Sequence, residues 1–231
     1  MTITTTKLTR AAGLSAVAGG LLFIAVQINH PLLDATFTTT TEYAVRETMK
    51  IFMALLSLIG VTGIYLRQVR QVGALGLIGY VVLGVGYLAI FCNQIIGVFV
   101  LPFLAASQPG FVNDVLAVAT SRPPVGDIGP LQVFIQGGGF AYIVGSIIFG
   151  IALFRAGILA RWAAALLAVG GVATVATVLL PLPETVQRMF AIPVSVALVG
   201  LGYSLWREQR TQKAQSLSSP VRSQLDPTSV K

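Results

Sequence analysis

The chain has little charge, one cysteine and one histidine. Only 10% of its 231 residues are Asp, Glu, Lys or Arg, whereas 55% are hydrophobic. The mean hydropathy is +0.84. A soluble domain carries roughly a quarter of its residues as charges, so that class is excluded. Cys92 cannot form an internal disulfide, and with His30 as the single histidine, zinc and iron–sulfur sites lack ligands. Nucleophile-elbow, P-loop and zinc signatures are also missing, and no cofactor or metal is expected. The net charge of +7 does not indicate nucleic acid, because the basic residues border apolar runs and are not interleaved with aromatics. They read as anchors facing anionic membrane lipid.

What is present is a series of apolar runs at 11–29, 47–66, 73–100, 131–154, 160–181 and 188–206. Each is near the ~20 residues that a ~30 Å hydrocarbon layer requires. They predict an all-α polytopic membrane bundle of about six transmembrane helices over residues 1–206, followed by a polar, disordered tail over 207–231. Lys7 and Arg10 ahead of Ala11–Val26 mimic a signal peptide, but no small-x-small cleavage site follows, so the run is kept as the first helix. With both termini cytoplasmic, the inner segments hold eleven Lys and Arg residues. The outer ones hold only Arg46, Lys50, Arg122 and Arg188, as the positive-inside rule requires of a multi-pass cell-membrane protein.

Runs two, four and six end as Gly63-x-x-Leu66-Arg67, Gly150-x-x-Leu153-Phe154-Arg155 and Gly202-x-x-Leu205-Trp206-Arg207. Three helical hairpins in tandem account for that spacing; coincidence in so apolar a sequence is the rival account. Between the first two runs, Thr41 is a helix N-cap candidate. In the long connection 102–130, Phe111, Val112, Val115, Leu116 and Ala119 share one helical face, which predicts a short interfacial helix. Gly73-x-x-Gly76-x-x-Gly79 lies inside an apolar span with no preceding strand, and reads as helix packing.

The polar side chains are distributed unevenly. Gln27, Asn29, His30, Glu47, Lys50, Asn93, Gln94, Gln132, Gln136, Glu184 and Arg188 all fall toward the predicted outer end. Glu47 with Lys50, and Glu184 with Arg188, are spaced to share a helix face. One reading is interfacial ion pairs that snorkel to water. The other is that the carboxylates line a cavity where desolvation prepares one of them as an acid. Amides in hydrocarbon are costly unless partnered, so Asn93, Gln94 and Gln136 are expected to face the bundle interior, as helix glue or as ligand contacts. Gly137-Gly138-Gly139 permits close packing or a loosened backbone. Aromatic residues of the outer half, Phe91 among them, can pack, anchor, or flank an apolar ligand.

The six-run pattern, with Arg155-Ala156-Gly157-Ile158-Leu159-Ala160-Arg161-Trp162 joining runs four and five, resembles uncharacterised six-helix membrane proteins of actinobacteria. In size, helical architecture and outward carboxylates alone, it is similar to small bacterial integral-membrane terpene cyclases. That resemblance implies an acid that protonates an alkene or epoxide of a prenyl chain, with no metal. The depth of the polar residues, and not a shared motif, supplies the candidate catalytic groups Glu47, Glu184, Asp127 and Asp114. It likewise supplies the substrate contacts Asn93, Gln94, Gln136, Lys50, Arg188 and Phe91. Three functions remain open at this point. They are an acid-initiated cyclase acting on an isoprenoid or other lipophilic small molecule, a small permease or channel, and an accessory subunit; Gly-rich faces leave homo-oligomerisation open in each.

Overall fold

Long apolar runs free of interior proline form helices, which stop where proline, glycine or a capping side chain intervenes. The computed structural model describes residues 4–28, 31–179, 186 and 189–218. Its helices are α1 (Thr5–Gln27), α2 (Ala35–Thr38), α3 (Thr41–Phe99), α4 (Leu101–Leu104), α5 (Pro109–Ala119), α6 (Pro130–Ala156), α7 (Arg161–Leu179) and α8 (Ala191–Ser218). No strand occurs among the described residues. Within that set α1, α3 and α6 are long and apolar enough to cross a membrane.

The predicted spans 47–66 and 73–100 are two limbs of the 59-residue α3. The expected connection at 67–72 is helical, and the chain reverses at Gly73 (φ 58°, ψ −155°), a conformation open in practice only to glycine. The second limb returns along the first. Thr62 Oγ1 lies 3.1 Å from Tyr80 Oη, and the Tyr65 and Tyr80 rings stack with centroids 4.5 Å apart. Gly73 is therefore a turn residue, contrary to its expected role in helix packing. Gly79 does pack: a Cβ there would meet Phe149 N of α6 at 2.5 Å.

Small residues let the other backbones approach in the same way. A Cβ on Gly60 of α3 would lie 2.6 Å from Ala16 of α1, one on Gly150 of α6 would lie 2.6 Å from Ala168 N of α7, and Gly170 of α7 faces Val194 of α8. A Cβ on Gly202 would be 2.5 Å from Gly13 O, so α8 packs back against α1 and the circuit of long helices closes. Phe52, Ile59, Leu77, Val81, Val85 and Leu88 are exposed around its rim, an apolar belt suited to lipid.

The two ends of the circuit differ. Toward Gly73, the core is filled by Ile64, Leu83, Phe149, Leu167, Leu198 and Leu205, and Arg67 forms a bidentate ion pair with Glu208. Helix α8 continues through Ser218, so the start of the predicted disordered tail is helical; the stretch after Tyr203 is rich in good helix formers and free of Gly and Pro. At the opposite end α5 lies across the bundle, with Val112, Val115 and Leu116 buried together with Tyr43 and Leu101. Asn113 Oδ1 accepts a hydrogen bond from Ala35 N (2.8 Å), tying α5 to α2. The N-cap of α3 is Thr40, not the expected Thr41: its hydroxyl accepts from Tyr43 N at 3.2 Å.

Candidate functional site

A partly enclosed cavity of about 330 Å³ lies beneath α5, at the lower end of the range for small-molecule sites. The reversal at Gly73 sets its register, because it brings Tyr43, Glu47 and Lys50 on the first limb of α3 opposite Asn93, Gln94 and Gly97 on the second. Ile90, Asn93, Gln94 and Gly97 form one helical stripe on the wall. Phe23, Val26, Met53 and Leu101 supply apolar wall, and Val115, Leu116 and Thr120 close the α5 side.

Glu47 is 4% exposed, and Lys50 Nζ donates a hydrogen bond to its Oε1 at 2.5 Å. The ion pair anticipated from the spacing is thus formed, but inside a cavity. Withdrawing two charges from water costs several kcal/mol per ion, so this pair is a poor device for stability alone. Gly97 leaves the room for it. A Cβ at that position would lie 3.2 Å from Tyr43 Oη, 3.5 Å from Glu47 Oε2 and 3.9 Å from Gln94 Oε1. Among the described residues the side-chain amides of Asn93 and Gln94 make no hydrogen bond to protein. Together these groups offer a ligand one cation, one carboxylate and two amides beside an apolar wall.

At the deep end stands Tyr142, whose ring meets that of Tyr87 edge-on at 5.5 Å between centroids. The hydroxyls of Tyr142, Tyr87 and Ser57 are buried and gather against one another, Tyr87 between Ser57 and Tyr142. By sequence these tyrosines read, with the other aromatics of these helices, as residues that pack, anchor or flank an apolar ligand. Only their pairing across α3 and α6 distinguishes them, and no sequence pattern carries that.

Other candidates are not brought to the cavity. Gln136 is exposed, contrary to its expected inward orientation. Gly138 and Tyr142 face α3, and at about 100° per residue a side chain two positions before Gly138 points away from it. Within the glycine triplet only Gly138 packs, against Ala89, while Gly137 and Gly139 have open space beside them. Phe91 is half-buried, one position off the wall stripe. Asp114 holds the loop after α5, accepting from Val125 N (2.7 Å) and Gly126 N (3.0 Å), and Asp127 accepts from Gly129 N (2.7 Å). Both serve loop backbone off the cavity wall. Glu184, Arg188, Asn29 and His30 lie outside the described residues. No cluster of three His, Cys, Asp or Glu side chains occurs among the described residues.

No protein-family model matches the chain, and no curated protein or solved structure shows significant similarity to it.

Proposed function

We propose that α1, the two limbs of α3, α6, α7 and α8 are six membrane crossings, with α5 on the outer side and both termini cytoplasmic. In this reading the cavity binds a lipophilic small molecule, and Glu47 performs acid–base chemistry on it. The most concrete form is an acid-initiated cyclisation of a prenylated or other isoprenoid substrate. The observation that supports it is the convergence of Glu47, Tyr43 and Gln94 around Gly97 in one cavity, with Lys50 bound to Glu47.

In the reaction, the proton that Lys50 Nζ donates to Glu47 Oε1 passes by way of the carboxyl to an alkene carbon or epoxide oxygen, leaving Lys50 neutral, and the electron pair of a neighbouring double bond closes the ring. The resulting cation then returns a proton to the carboxylate, which passes it back to Lys50 and restores the ion pair. The sum is an isomerisation that requires no cofactor. Lys50 and the two amides orient the substrate, the apolar wall keeps water from intercepting the cation, and the ring faces of Tyr43 and Tyr142 stabilise positive charge. A permease needs a polar path through both ends. The packed core of Ile64, Leu83, Phe149 and Leu198 below the cavity favours a closed site instead.

In isolated membranes supplied with a polyprenyl epoxide, Glu47→Gln is expected to lower turnover by at least ~10²-fold at unchanged protein level. Full activity in that variant removes Glu47 as the acid, and protein-dependent uptake of the epoxide into sealed vesicles supports transport instead.

A further inference from the structure

A second hollow lies beside the cavity. It is a groove of about 490 Å³ between the end of α1 and the start of α3, walled by Ala25, Ile28, Val45 and Met49 and rimmed by Glu42 and Arg46. Val26 lines both the groove and the cavity and is only 3% exposed, so one valine side chain stands where the two meet. On α3, Glu42, Val45, Arg46 and Met49 form a stripe toward the groove, and Tyr43, Glu47 and Lys50 form the adjacent stripe toward the cavity. Toward Gly73 the seam between α1 and α3 is closed by glycines: a Cβ on Gly19 would lie 2.6 Å from Ser57 Oγ, and one on Gly60 2.6 Å from Ala16. Beyond them it is bordered by Val26, Met49 and Met53. Methionine side chains adapt readily, whereas a helical valine is held in one rotamer. We infer that a lipophilic molecule enters the cavity from the outer half of the bilayer through this groove, and that Val26 is the barrier it passes.

The occupant that fits the groove is an uncharged hydrocarbon chain, such as a prenyl tail. Val45 and Ile28 are 54% and 66% exposed and continue the apolar belt. The charges at the rim are engaged with protein: Arg46 Nε donates to Glu42 Oε1 at 2.9 Å, and its Nη1 donates to Ile28 O at 3.2 Å. The second bond also ties the end of α1 to α3 across the rim. Entry elsewhere meets packed structure, because α5 lies over the outer side and Ile64, Leu83 and Phe149 fill the inner side. The inference rests on the proposed binding of a lipophilic molecule and on the proposed membrane crossings.

The test uses the full chain in lipid nanodiscs, with Cys92→Ala and Gln94→Cys placing the single thiol on the cavity wall. Two probes are followed by intact mass: N-dodecylmaleimide, which partitions into the bilayer, and a sulfonated maleimide, which stays in water. The dodecyl reagent is expected to react faster. Val26→Trp is expected to slow it about tenfold, as overpacking of the barrier implies, and Val26→Ala to speed it. Val45→Trp fills the groove without touching the cavity wall, and is expected to slow the dodecyl reagent as well. Rates that do not change with residue 26, or a slowing by Val26→Trp with none by Val45→Trp, overturn the route and leave binding in the cavity standing. Faster reaction of the sulfonated reagent overturns it in favour of entry from water. Reaction with neither reagent overturns the cavity reading itself, and the inference with it.

Discussion

Gly97 is the position at which a single methyl group would reach three polar side chains of the cavity at once. An alanine Cβ would press on Tyr43 Oη at 3.2 Å. Overpacking of this kind costs ~1–3 kcal/mol, more than the ~0.5–1 kcal/mol that replacing a mid-helix glycine returns. Gly97→Ala is thus expected to lower thermal stability in detergent and to slow turnover of the polyprenyl epoxide. An unchanged melting temperature together with unchanged turnover would show that the three polar side chains do not depend on that space. The Glu47–Lys50 pair allows a sharper measurement. In a double-mutant cycle with Glu47→Gln and Lys50→Met, residues in direct contact are expected to couple by ~0.5–3 kcal/mol, and additive effects would mean that the pair is not maintained in the membrane. That Glu47, Lys50, Asn93 and Gln94 share one depth is legible because polar depth within an apolar run is visible in sequence; that they share one cavity is not. The orientation of Gln136 and the Tyr142–Tyr87 contact depend on helix phase and on which helices pack together, and neither is written in one chain's hydropathy.

At the scale of elements, α3 depends on one backbone conformation. The sequence reading located both limbs but expected a loop between them, because Arg67, Gln68, Arg70 and Gln71 look like a polar connection. In the structure these residues complete the first limb, with Gln68 fully buried and Arg67 paired to Glu208. Gly73→Ala is expected to cost ~1–3 kcal/mol, the penalty for holding a side chain in a glycine-only region; thermal unfolding that matches the parent protein would refute this. Helix α5 is held from its exposed side by Asp114, whose two oxygens bind successive backbone amides of the following loop. Asp114→Ala is accordingly expected to raise amide hydrogen exchange across 109–129 and to leave α1 and α6 unaffected. A uniform rise in exchange would instead point to global destabilisation.

At the scale of the molecule, the proposed topology is tested by labelling in intact cells, with Cys92 replaced by alanine. Val125 and Gln71 are both exposed, at opposite ends of the bundle. A cysteine at Val125 is expected to react with a membrane-impermeant maleimide and one at Gln71 only after permeabilisation; the reverse result inverts the orientation. Closure of the circuit through Gly13 and Gly202 has a consequence for synthesis. Glu47, Lys50, Asn93 and Gln94 leave the ribosome long before α8, yet the wall around them includes Phe190 and Ala191 at its start and Phe23, Val26 and Gln27 at the end of α1. A nascent chain halted after α7 would possess the reactive groups with one side open to lipid. Under the proposed function, ligand selectivity then arrives with the docking of α8 onto α1, as a late event in biogenesis.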